Sequence, residues 1–154
     1  MWKNALAGAC LALALPLCAS AQTPPAPTPA YDAALAASLG ADERGMRQYV
    51  LVILKTGPNN MTDAEGRKKM FAGHFANMER LAAQKKLVLA GPLDGKEGRR
   101  GIFVFATPEI EEAQKLVATD PVIVQGEMVA EYHRFYGSAA VMMINEVHNR
   151  IQKK

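Results

Sequence analysis

Cysteine is nearly missing from this chain of 154 residues, and the two present, Cys10 and Cys18, both fall in its first 21 positions, as does its one tryptophan, Trp2. That stretch opens Met-Trp-Lys-Asn, continues as an apolar run over 5–17, and reaches Ala19-Ser20-Ala21 before Gln22. A basic start, an apolar middle and small residues at the end are the order of a secretory signal peptide, with cleavage expected after Ala21. The apolar run is too short for a permanent bilayer span. Leu17 stands before Cys18 where acylation wants a small residue, which speaks against a lipoprotein. The expectation is a periplasmic or secreted protein with no membrane span after cleavage. Its processed form has no disulfide, no thiol nucleophile and no cysteine ligand for zinc or an iron–sulfur cluster. Such a domain must be held together by its hydrophobic core alone.

A concentrated basic surface is also lacking. Without Lys3, 17 of the 18 basic side chains remain against 15 acids, a net charge near +2. Arg67-Lys68-Lys69, Lys85-Lys86, Arg99-Arg100 and Lys153-Lys154 are scattered, with no aromatics interleaved, so they read as solvated faces and nucleic acid is excluded as a partner. Arg99 and Arg100 invite the idea of an anion clamp on a hairpin, but a solvated turn is the simpler reading. Only three histidines occur, His74, His133 and His148. A metal site from His74, Asp120 and His133 is conceivable, but no His-x-x-x-His spacing supports it, and neither a metal nor a cofactor is assigned. Repeats of 20–50 residues are missing too.

What remains is one domain's worth of alternating patterns. Residues 22–30, rich in proline, read as an extended tether, and 31–39 as a short alanine-rich helix ended by Gly40. Residues 48–55, Gln-Tyr-Val-Leu-Val-Ile-Leu-Lys, predict a strand buried on both faces. After a turn at Gly57-Pro58-Asn59-Asn60, Thr62 and Glu65 fit a capping box that starts a helix to about Lys86, weakened by Gly66 and Gly73. Residues 87–93 and 101–106 predict a hairpin. Thr107-Pro108 predicts the start of a second helix, which Asp120-Pro121 stops. Residues 127–136 predict a fourth strand, and Gly137-Ser138 the start of a last helix to about Gln152. The order β-α-β-β-α-β is the ferredoxin-like α+β plan, with an extra C-terminal helix. That plan leaves the second face of an apolar sheet uncovered, which predicts a homodimer.

One pair of residues stands out chemically. His74 lies three residues after Phe71 and four before Met78, on the apolar stripe of its helix. By itself it reads as a core histidine satisfied by a backbone carbonyl. Asp120 by itself reads as ordinary turn chemistry before proline. Together they gain a function, since a carboxylate on one imidazole nitrogen fixes the tautomer and leaves the other nitrogen to accept a proton. Gly91-Pro92 reads as a bend at the end of a strand whose backbone could line a pocket, and Tyr49, Tyr132 and Tyr136 read as packing as readily as cavity wall.

The ordered segments Gln48-Tyr49-Val50-Leu51, Ala72-Gly73-His74-Phe75-Ala76-Asn77-Met78, Leu87-Val88-Leu89-Ala90-Gly91-Pro92-Leu93 and Asp120-Pro121, with Glu111-Glu112-Ala113 between the last two, resemble the YCII-related domain family. The resemblance covers roughly residues 46–136. It implies a ferredoxin-like fold of the dimeric α/β-barrel type and an active site on a His–Asp dyad, which falls on His74 and Asp120. The domain organisation is then a signal peptide over 1–21, tether and short helix over 22–45, a YCII-like domain over 46–137 and a C-terminal helix over 138–154. The function expected is a small-molecule enzyme of lyase or hydrolase type. The alternative is a homodimeric periplasmic domain that binds a ligand or serves structure without catalysis. Val122, after the Asp-Pro pair, departs from the aromatic residue often found there in this family.

Overall fold

The computed structural model describes residues 30–59 and 61–153. The expected signal peptide and most of the tether lie outside these residues. From Asp32 onward the chain is one folded unit. Its elements are α1 (Ala33–Leu39), β1 (Met46–Thr56), α2 (Ala64–Ala83), β2 (Leu87–Pro92), β3 (Arg99–Phe105), α3 (Ile110–Val117), α4 (Pro121–Val124), β4 (Met128–Ser138) and α5 (Ile144–Ile151). Short 3-10 turns at Lys96–Gly98 and Ala139–Met143 complete the order. The four strands lie in the order β2-β3-β1-β4 and pair antiparallel throughout. The fold is α+β and ferredoxin-like.

Side chains alternate across a strand, and β1 fills both alternations with apolar residues. Val50, Val52 and Leu54 face the helices and join Phe103, Phe105, Leu81, Met70, Val117 and Val122 in the main core. Tyr49 faces the other way, into a second cluster with Val88 and Val104. Each fully buried side chain of this size contributes about 1.5–3 kcal/mol of burial, so the core can stand in for absent covalent staples.

The second sheet face is not left wholly bare. Val141 and Met142, in the 3-10 turn after β4, pack on Tyr49, Val88 and Val104. Asn145 ties the start of α5 down by donating to the Leu87 carbonyl at 2.8 Å. The Tyr49 hydroxyl donates to the Ser138 carbonyl at 3.0 Å, and Arg47 reaches the carbonyls of Leu39 and Ala106. The chain's own ends therefore cover part of the surface that the sequence assigned to a second subunit. Farther along, Leu51 and Ile53 stay half-buried, beside exposed Val129 and Phe135.

Several boundaries differ from expectation for local reasons. Asp63 caps α2 instead of Thr62, because its carboxylate accepts from the Gly66 amide at 2.9 Å. The helix stops at Ala83, short of Lys86: Lys85 adopts φ 56, and the amides of Lys85 and Lys86 fold back onto the carbonyls of Ala82 and Leu81. That is a Schellman closure built without glycine. Thr107 does not cap α3, which begins after Glu109; its hydroxyl instead donates to Glu112 at 2.7 Å and accepts from the Glu109 amide. Gly137-Ser138 belongs to the end of β4, which carries full pairing with β1 to Met46, so the last helix starts only at Ile144.

Two deviations shape the site. Asp120-Pro121 does not merely stop α3; it opens the one-turn helix α4, with Asp120 as N-cap and Pro121 in the first turn. In β3 the register with β1 slips, so that Leu54 pairs with Gly101 and Lys55 with Arg99. Arg100 is thus an extra residue with no partner on β1, a β-bulge of the kind that re-aims a side chain, while its carbonyl still accepts from the Leu93 amide at 3.0 Å.

Candidate active site

His74 sits mid-way along α2 on the face turned to the sheet, and Asp120 at the joint between α3 and α4. Their side chains meet. Nδ1 of His74 lies 2.9 Å from Oδ1 and 2.8 Å from Oδ2 of Asp120. Asp120 is fully buried, and its Oδ1 also accepts from the Val122 amide at 3.1 Å. One carboxylate therefore caps α4 and holds the imidazole of α2. A carboxylate accepts, so Nδ1 is the donor, and in the neutral ring Nε2 is the nitrogen with the lone pair.

The helices come this close because of Gly73. A Cβ built there would sit 3.0 Å from Cγ of Pro121, tighter than ordinary packing allows. A glycine that weakens α2 by itself is what lets α4 rest on it one residue away from His74. A polar bolt lies one turn farther on: Arg80 donates to Oδ1 of Asn77 at 2.5 Å and to the Thr119 hydroxyl at 3.1 Å. Thr119 precedes Asp120, so this bolt fixes the backbone from which the carboxylate projects.

Around the imidazole stand three aromatic rings. Phe103 stacks on it with centroids 6.0 Å apart, Phe71 meets it edge-on at 6.0 Å, and Phe75 is tilted at 5.3 Å. The ring borders a cavity of about 280 Å³, whose wall includes Phe71, Phe75, Met78, Phe103 and Arg100. Among the described residues Nε2 has no hydrogen-bond partner, and no fully buried side-chain nitrogen or oxygen lacks one. Nε2 thus keeps access to solvent, and the cavity is the opening the ring borders. A second hollow of about 320 Å³ lies near Met70, Asn59 and Glu127. It contains no imidazole, and its one carboxylate is already engaged, so it offers no free acid–base group.

Nothing in the sequence singles that carboxylate out. Glu127 accepts from Arg67 at 2.9 Å, and the guanidinium holds its carboxyl below the ordinary range. The same guanidinium lies 4.7 Å from the centroid of Phe71, bracing one wall of the His74 cavity by a cation–π contact.

The other residues raised from sequence disperse. Gly91 and Pro92 line the cavity. His133 pairs with Glu131 at 2.9 Å on the outer sheet face, opposite the side that carries His74. His148 is exposed on α5. Tyr49 is buried in the outer cluster, Tyr132 packs against the main core, and Tyr136 donates to the Asp42 carboxylate. Arg99 is neutralised by Glu97 at 2.7 Å, whereas Arg100 turns to the cavity. Val122 is fully buried in the main core, so the position fills space behind the dyad and does not face the cavity.

The sequence model of the YCII-related domain family matches residues 48–135, more than half of the chain. This chain belongs to that family. The uncharacterized protein YjpA of Bacillus subtilis (strain 168) is 28% identical over 81 residues, 53% of this chain and 85% of that one. Among solved structures, 5-chloro-2-hydroxyhydroquinone dehydrochlorinase (TftG) from Burkholderia phenoliruptrix AC1100, in complex with 2,5-dihydroxybenzoquinone, aligns with 22% identity. That alignment covers 56% of this chain and 92% of the other, with a TM-score of 0.43.

Asp120→Ala in this YCII-related chain removes a helix cap, which costs about 0.5–2 kcal/mol, and orphans a buried imidazole N–H, which costs about 1–3 kcal/mol. Urea unfolding should show a loss in the sum of those ranges. A loss under about 0.5 kcal/mol, the scale of an inert surface change, would mean that the carboxylate holds nothing.

Proposed function

We propose that the mature chain is an exported small-molecule enzyme of lyase or hydrolase type, in which Nε2 of His74 is the general base. Asp120 is its positioning partner. The observation that carries this reading is a single arrangement: an imidazole bonded through Nδ1 to a buried carboxylate while the same ring borders an apolar cavity. Such a base takes a proton from carbon or from water, and the buried carboxylate stabilises the imidazolium that results.

A non-catalytic ligand-binding domain is the second reading, favoured by the structural duty Asp120 already has as the cap of α4. The two part on His74→Gln, which fills similar space without a base. Nitrogen-15 NMR of the ligand-free wild type should show the proton on Nδ1 of His74 and a bare Nε2. Incubating a panel of small carbon acids and activated esters in D₂O should reveal exchange, elimination or hydrolysis that falls at least about 100-fold in the variant, the scale of general-base catalysis. Turnover that persists undiminished in His74→Gln removes the base from the mechanism.

Two further proposals belong with this reading. The chain is a homodimer, supported by Leu51, Ile53, Val129 and Phe135 on the part of the sheet that the C-terminal segment leaves open. Light scattering should give twice the mature mass, and Ile53→Glu should give the single mass; a wild-type monomer defeats the idea. It is also periplasmic, supported by the three-part leader of residues 1–21. The protein recovered from the cell envelope should begin at Gln22 by mass spectrometry, and a chain that keeps Trp2 in the cytoplasm defeats export.

A further inference from the structure

The bulge in β3 leaves one charge without an owner. Arg99 and Arg100 are neighbours in sequence, yet Arg99 is ion-paired with Glu97 in the hairpin turn while Arg100 lies half-buried in the wall of the His74 cavity. Among the described residues the Arg100 guanidinium makes neither a hydrogen bond nor an ion pair. Glu127 lies near enough for the Arg100 charge to help hold its carboxyl below the ordinary range, but its oxygens are bonded elsewhere: Oε1 to Arg67 at 2.9 Å, and Oε2 to the Met61 amide at 3.4 Å. The rest of the wall is Leu54, Phe71, Phe75, Met78, Phe103 and Met128 in character, apolar and largely aromatic or thioether.

A guanidinium that is half out of water with no acid bonded to it is poorly solvated and only partly compensated by the Glu127 charge. It presents a planar fork of donors suited to a carboxylate. We propose that Arg100 anchors the ligand of this site, and that the ligand is a small, flat, apolar monoanion, its carboxylate on Arg100 and its body against the Phe71, Phe75 and Phe103 rings. A volume of about 280 Å³ accommodates a single substituted ring and little more. This rests on the reading of His74 as the functional group of the same cavity: with the charged end held at β3, the body of the ligand is brought beneath Nε2. Arg100 is thus an anchoring and selecting residue, separate in role from the base. The cationic wall also explains why the cavity need not supply any other charge, since attraction at one end and apolar contact at the other fix both position and orientation.

The test uses the mature chain and two probes of equal shape, benzoate and benzamide, titrated by NMR at low salt. Wild type should bind benzoate at least about tenfold more tightly than benzamide, the scale of a charge-assisted hydrogen bond. Arg100→Met, which keeps an apolar stem, should lose that preference and leave benzamide binding within about twofold, while Arg100→Lys should keep part of it. A thermal melt of each variant checks that the fold stands. His74→Gln should leave the benzoate preference in place, which separates the anchor from the base. No benzoate binding to wild type, or a preference that survives in Arg100→Met, overturns the anchor and leaves the tautomer of ligand-free His74 as a separate question. A preference lost in His74→Gln and kept in Arg100→Met assigns the anion to the imidazole and overturns the proposal as well.

Discussion

The hydrogen bond between His74 and Asp120 is the joint on which the helical layer turns. It spans 46 residues of sequence and is made in a buried setting, where a polar group left alone is costly. Each partner needs the other for its own satisfaction, and each is rooted in a different element. Asp120 meets the amide of Val122 on one side and the imidazole on the other, so the position of α4 and the orientation of the ring are set by one carboxylate. Arg80, Asn77 and Thr119 reinforce the same seam one turn away. A histidine on an apolar stripe here does two things: its ring is stacked like a core aromatic on Phe103, and its Nδ1 is bonded to Asp120.

Much of this was legible because the signals were periodic. The alternation of β1, the stripe of α2 and the turn residues of the hairpin each follow from side-chain geometry over several positions, and the β-α-β-β-α-β succession came with them. Where a decision hung on one residue, the sequence was a poorer guide. Thr62 and Asp63 are both good caps, and only the chain's path decides that Asp63 faces the Gly66 amide. Lys85 ends α2 in a left-handed conformation that favours glycine, so no composition rule announces it. Asp-Pro reads equally as a stop or as a start, and here it is both within two residues.

The site was legible in its two chemical residues through the motif they share with a family, and illegible in its surroundings. Arg100 next to Arg99 looked like a solvated turn because a register slip leaves no mark in the letters themselves. Gly73 looked like a flaw in a helix until Pro121 was found against it. The C-terminal segment looked like an appendage to a finished domain; instead Val141 and Met142 complete the second hydrophobic cluster. Pairwise contacts across tertiary structure carry these features, and periodicity does not reach them.

The unpaired residue in β3 has a consequence for how such a pocket diverges. In a regular ladder, swapping a wall residue means replacing a side chain that also packs. Here the arginine occupies a place that the pairing of Leu54 with Gly101 and Lys55 with Arg99 simply skips. Losing that residue would let β1 and β3 pair evenly and withdraw a cation from the wall, at the expense of the bond its carbonyl accepts from the Leu93 amide at 3.0 Å. Charge in this recess is therefore written in the length of a hairpin, where insertions and deletions are easiest to tolerate, and the scaffold beneath can stay as it is.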